Sequence, residues 1–156
     1  MKEEVIELDT VDKYNKFFGV ETYHPMVTVV DLSKITQPAQ PFTINYGIYA
    51  LFLKDTLCGD ITYGRQPYDY QEGTIVCFAP GQVASIHAQE GTRPTGYGLL
   101  FHPDLIHGTQ LGHDIRNYSF FSYEAREALH LSEEERHTVI DCLHKIDTEL
   151  RRPADK

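Results

Sequence analysis

The chain has 156 residues, 41% of them hydrophobic, with ten Tyr, eight Phe and a formal net charge of −9. That is the length of one domain, with enough apolar and aromatic material to fill a core without disulfides or a structural metal. The acidity excludes direct binding of duplex DNA or an anionic membrane, because phosphate recognition needs clustered Lys and Arg, and the largest basic group is Arg151-Arg152.

Residues 1–26 read as an N-terminal arm with one short helix. Asp9 or Thr10 caps it, Val11, Tyr14, Phe17 and Phe18 share a face, and Gly19 stops it. Val27–Val30 is a first strand, and Thr36–Pro41 is too proline-rich to be regular. Thr43–Leu53 reads as one long strand with Gly47 as a bulge. Lys54-Asp55 turns into a strand over Gly59–Tyr63, and Gly64-Arg65 turns again. Polar and aromatic residues follow up to a tight turn at Glu72-Gly73. Thr74–Phe78 is then a buried strand that Ala79-Pro80-Gly81 breaks, since proline donates no hydrogen bond and glycine accepts φ values that other residues resist. Val83–His87 and Gly96–Phe101 read as a hairpin around Glu90-Gly91.

Beyond His102 the pattern becomes helical. Pro103–Gly108 is one turn with Pro at its start and Gly past its end, Gly112–Tyr118 is a second short helix, and Phe120-Phe121 is a strand or a hydrophobic plug. The clearest helix starts at Ser132, which forms a capping box with Glu135. Val139, Ile140, Leu143, Ile146 and Leu150 make its apolar stripe, and Pro153 ends it. Two readings of that stripe stand: packing on the chain's own sheet, or a helix–helix dimer contact.

Turn signals spaced by roughly 8–12 residues predict a mainly β fold, an antiparallel barrel or jelly roll with C-terminal α-helices. The expected divisions are the arm at 1–26, the barrel with helical insertions at 27–123, and a helical segment at 124–156. No apolar run approaches the roughly 18 residues of a membrane span. Met1-Lys2-Glu3-Glu4 carries no hydrophobic segment behind it, so no secretory signal is read. Cys58, Cys77 and Cys142 are far apart and form no C-x-x-C, which points to reduced thiols in a cytoplasmic protein.

The chemistry-bearing residues are sparse. Among eight histidines, His102 and His107 would point about 140° apart on a helix. His137 and His144 share a face but stand about 10 Å apart along the axis, too far to ligate one ion together. His87 ends a strand and could face a barrel interior. Asp60, Asp69 and Glu72 lie near strand ends and could meet, though solvated turn positions account for them as well, and no nucleophile elbow, P-loop or dinucleotide fingerprint is present. The aromatic set Tyr46, Tyr49, Tyr63, Tyr68, Tyr70 and Tyr97 offers apolar walls with polar tips, suited either to a small organic ligand or to an amphipathic sheet surface. Arg65 beside it is the candidate anchor for an anionic group.

Three runs then carry a family resemblance. Tyr68–Gln82 (YDYQEGTIVCFAPGQ), Gly98–Gly112 (GLLFHPDLIHGTQLG) and Tyr118–Glu135 (YSFFSYEAREALHLSEEE) resemble cupins, and among them the N-terminal sensor domains of AraC-type transcription regulators. The resemblance covers most of the chain from about Val27 onward. It implies a cupin-like double-stranded jelly roll that binds a small effector, such as a sugar or another metabolite, and dimerises. Metal-binding cupins carry an H-x-H pair, a later Glu, and a His shortly after the Pro-Gly corner. Here Asp60–Tyr63 holds no histidine and Ala84 follows the corner, so no metal or other cofactor is expected. The two helix-turn-helix units of such regulators also have no match here, so the chain reads as a sensor fragment of a longer regulator or as a stand-alone relative, and DNA contact is expected only through a domain absent from this chain.

The expectation is therefore a non-enzymatic sensor whose effector meets Tyr49, Tyr63, Arg65, Tyr68, Phe78, His87 and Tyr97. Dimerisation is expected through Val139, Ile140, Leu143, Ile146 and Leu150. The alternative is a stand-alone cupin enzyme, a metal-dependent isomerase or dioxygenase, and a third option is a dimerisation module with a filled barrel.

Overall fold

The computed structural model describes residues 5–35, 42–54, 60–63, 66–67, 74–87, 95–117 and 129–152. They form two five-stranded sheets and three α-helices. The first sheet runs β1 (Val5–Leu8), β3 (Phe42–Tyr46), β8 (Val83–His87), β5 (Asp60–Tyr63), β6 (Gln66–Pro67). The second runs β10 (Leu129–His130), β7 (Thr74–Phe78), β4 (Tyr49–Lys54), β9 (Gly96–Phe101), β2 (Val27–Asp31). All pairings are antiparallel except β1 on β3. Among the pairings, β2 with β9, β3 with β8, β4 with β7 and β5 with β6 are nested about the β5–β6 connection.

Period-two alternation gives the second sheet two covered faces. Val30, Ala50, Phe52, Val76, Phe78 and Leu100 point inward and meet Leu8, Ile44, Tyr46 and Ala84 of the first sheet. Tyr49, Leu53, Ile75, Cys77 and Phe101 point outward and build a second cluster with Ile115, Leu131, Val139 and Ile140. Helix α1 (Val11–Phe18) closes one end of the inner core. Thr10 caps its start by accepting from Lys13 N–H, and Gly19 ends it at φ 73°. Val11, Tyr14 and Phe18 are buried in the same core as the strands, so the arm is an integral wall.

The long strand expected over Thr43–Leu53 is two strands. The chain crosses between sheets at Gly47-Ile48, where Gly47 N–H donates to Leu8 C=O at 2.9 Å and a β-carbon would fall 2.5 Å from Asp9 Cβ. Gly47 therefore marks close backbone approach at a crossing, the other meaning of a glycine in a strand pattern. The expected hairpin of Val83–His87 with Gly96–Phe101 does not form. β8 pairs with β3 and β5 while β9 pairs with β2 and β4, in different sheets, because the Pro-Gly corner has already carried the chain across. The second short helix, α2, starts earlier than expected, at Gln110–Asp114 under a Thr109 cap, and passes into a 3-10 turn over Ile115–Asn117. The strands β1, β6 and β10 were not legible in the sequence. Phe120-Phe121 lies outside the described residues.

The Pro-Gly corner packs beside the Gly47 crossing. Gly81, at φ 93°, donates its N–H to Tyr46 C=O at 2.6 Å, and Tyr46 N–H donates to Gln82 C=O at 2.9 Å. Buried Gln82 accepts from Ala79 N–H through Oε1 at 2.8 Å, closing the corner on itself. The β3–β4 and β7–β8 crossings are thus joined through Tyr46.

Helix α3 (Glu133–Arg151) begins with the expected capping box, Glu135 N–H donating to Ser132 Oγ at 3.1 Å and Ser132 N–H to the Glu135 carboxylate at 2.8 Å. It lies on the outer face of the second sheet, against β2 and β9. Among the described residues no helix is long and apolar enough to cross a membrane.

Candidate functional site

The interior between the sheets is packed with rings where its side chains are described. Tyr46 stacks on Phe78 at 4.7 Å between centroids, Tyr14 meets Phe18 at 4.6 Å, and Phe52 stands edge-on to Phe78 at 6.2 Å. Such contacts act as core cement, each adding about 0.5–1.5 kcal/mol beyond simple burial. Phe78, expected at an effector, is a member of this cluster. Ala84, which follows the Pro-Gly corner, is buried in the same core.

Tyr49, Phe78 and Tyr97, the members of the expected effector set whose side chains are described, do not share one surface. Tyr49 points out of the opposite face of its sheet and stacks on Phe101 at 5.2 Å. Tyr97 also leaves the outer face and meets the His144 ring of α3 edge-on at 5.3 Å. Tyr63 and His87 are placed on the paired strands β5 and β8, three ladder steps apart, about 10 Å along the strands. Arg65, Tyr68 and Tyr70 lie outside the described residues.

The expected dimer stripe is divided. Leu143 is 2% exposed, and Val139 and Ile140 are half-buried on the outer cluster. Ile146 and Leu150 are also half-buried. Glu134, His137, Thr138, Asp141, Lys145 and Thr148 face solvent, so the open side of α3 is polar. Covering an outer sheet face is the first use of the stripe, since that face would otherwise expose Tyr49, Leu53 and Phe101.

A cleft of about 340 Å³ runs along the seam of α3, β2, β9 and the end of α1. Its polar walls are Asp31, Lys34, Tyr97, His144, Asp147 and Arg151. Positions 144, 147 and 151 share one helix face by their three- and four-residue spacing. The sequence reading did not assemble this set. That spacing was visible, but nothing in sequence tied it to Asp31 and Lys34, more than a hundred residues earlier. Arg151 Nε donates to both Asp147 oxygens at 3.0 and 3.1 Å, Arg151 Nη1 donates to the Tyr23 hydroxyl at 3.1 Å, and the guanidinium lies 4.8 Å from the Tyr23 ring centre. Asp147 holds the guanidinium pKa above its ordinary value.

Other reactive groups are quiet. Burial pushes the Cys77 thiol up to about 12, which removes it as a nucleophile near neutral pH. Among the described residues no three His, Cys, Asp or Glu side chains converge as a metal site would require. Buried Asn15 donates to Thr22 Oγ1 at 3.0 Å and Thr28 Oγ1 at 3.3 Å, and Thr22 donates on to Asp12. That polar thread pins α1 to β2. In comparisons with known proteins, no family model and no curated protein matches this chain.

Proposed function

We propose that this chain is the ligand-sensing part of an AraC-type transcription regulator, built as a cupin-like jelly roll. The observation that carries the reading is the nested pairing of β2–β9, β3–β8, β4–β7 and β5–β6. A long antiparallel ribbon rolled on itself has this order, and two Greek keys are the mark of a jelly roll. The sequence resemblance at Tyr68–Gln82, Gly98–Gly112 and Tyr118–Glu135 supports the same reading.

In this reading the effector, a sugar or another metabolite, enters between the sheets from the end formed by β5, β6 and β8, away from the ring cluster. It favours one arrangement of the sandwich, and α3 carries that preference outward because its stripe is docked on the same sheet. Self-association uses the half-buried rim of the stripe, Ile140, Ile146 and Leu150, with Leu143 held inside. DNA is met by a helix-turn-helix region beyond these residues.

A thermal-shift screen of the chain against sugars, organic acids and aromatic metabolites tests this. A sensor gives a saturable rise in Tm with one chemical class, by mass action. A flat response across all three classes, with stoichiometric iron, manganese or zinc in protein purified without chelator, rejects the sensor in favour of a metal-dependent enzyme.

A further inference from the structure

The cleft at the α3 seam has its charges unevenly satisfied. Its carboxylates are answered from within the fold: Asp147 by Arg151 Nε, and Asp31 Oδ1 by the Ser33 N–H and hydroxyl at 3.0 and 2.6 Å. Its donors are not. Lys34 has no ion pair or hydrogen bond among the described residues, and Arg151 uses Nε and Nη1 but leaves Nη2 open. Val20 and Tyr97 supply an apolar wall beside these donors. The volume, about 340 Å³, falls at the small end of metabolite pockets.

We infer that this cleft binds a small organic monocarboxylate, its head on Lys34 and Arg151 and its apolar body on Tyr97 and Val20. The four formal charges of Lys34, Arg151, Asp31 and Asp147 cancel. A carboxylate takes the open donors while its apolar body takes the Val20 and Tyr97 wall, a contact that inorganic phosphate cannot make. The occupant touches β2, β9 and α3 at once, so it stabilises the docked position of α3. This site lies on the outer face of the second sheet and is separate from the effector space between the sheets.

The test is a titration of the ¹⁵N-labelled chain, followed by amide shifts, with benzoate, phenylacetate and cyclohexanecarboxylate at constant ionic strength. Benzamide serves as the uncharged counterpart of benzoate, and inorganic phosphate as the dianion. At least one carboxylate is expected to give saturable shifts at Val29, Asp31, Lys34, Tyr97 and His144, with none from benzamide. Lys34→Gln, an exposed position, is expected to keep the Tm of the free protein and to weaken binding about tenfold, the loss of one charge-assisted contact. Absence of saturable shifts with all three carboxylates overturns the inference. So does equal binding of benzamide or phosphate, or unchanged affinity in Lys34→Gln. Saturable shifts confined to Phe52 and Phe78 overturn it too, while leaving the sensor reading standing.

Discussion

Arg151 lies with its guanidinium 4.8 Å from the centre of the Tyr23 ring and donates Nη1–H to the Tyr23 hydroxyl at 3.1 Å, across 128 residues of sequence. The pair ties the last turn of α3 to the segment that leads into β2. Replacing Tyr23 with Leu removes ring and hydroxyl together. Amides in the last turn of α3 are then expected to exchange about two- to fivefold faster, the range of an exposed cation–π contact, with the rest of the helix unchanged. Tyr23→Phe keeps the ring and is expected to show a smaller effect. Hydrogen exchange read by NMR separates them, and equal rates in all three proteins would show the pair to be idle.

Leu143 is the one residue of the α3 stripe that is fully buried. Leu143→Ala is expected to cost about 2–5 kcal/mol in denaturant unfolding, as a cavity in packed surroundings does. Leu143→Glu is expected to undock α3 or unfold the chain and so cannot report on self-association. Ile146→Glu, at the half-buried rim, is the variant for sedimentation. It is expected to abolish any dimer while the far-UV spectrum stays intact.

Gly98 sits opposite both Val30 on β2 and Phe52 on β4. A β-carbon there would stand 2.9 Å from Val30 Cγ2 and 2.9 Å from the Phe52 ring. The missing side chain lets Phe52 spread across β9 into the ring cluster. Gly98→Ala is expected to destabilise by about 1–3 kcal/mol through overpacking. Pairing it with Phe52→Leu, which vacates the space, should recover part of the loss. Additive costs in the double variant would reject this account.

Cys77 and Cys142 make a contrast in reactivity. Burial raises the Cys77 thiol to about 12, while Cys142 is exposed on α3. At pH 8 iodoacetamide is expected to label exposed Cys142 and to leave buried Cys77, almost wholly protonated, essentially unmodified, as read by peptide mass spectrometry. An unfolded Cys77 ionises from about pH 8.5 and the folded one not until about 12. Its folded pKa is the higher one, so the stability it contributes is complete below about pH 8.5 and is lost as pH rises toward 12. Prompt labelling of Cys77 in the native chain would contradict its burial.

Glu135 works in the other direction. The Ser132 backbone N–H and side chain hold its carboxyl below the usual glutamate range. A lowered folded pKa gives stability that is present above the unfolded value of about 4.3 and is lost as pH falls through the folded one. The protein is therefore expected to unfold at a higher Tm than Glu135→Gln at pH 7, and the gap should close as pH drops below about 4. A gap that persists at pH 2 would assign the effect to side-chain shape instead of charge.

Elements whose causes are local follow from the amino-acid order alone. Ser132 with Glu135, Thr10 with Gly19, and the Pro80-Gly81 corner each act within a few residues, so α3, α1 and the β7–β8 break were legible before any fold was known. Alternation along Thr74–Phe78 and Gly96–Phe101 marked strands but could not say which strand each would meet. That was decided in three dimensions, because Gly47-Ile48 and the Pro-Gly corner throw consecutive strands into different sheets and make their partners distant in sequence. The same crossings separate Tyr49 and Tyr97 from Phe78, since adjacent positions on a strand point to opposite faces and both faces of the second sheet are covered. They also set Lys34 beside the 144, 147 and 151 face of α3, a meeting that no spacing along the chain encodes.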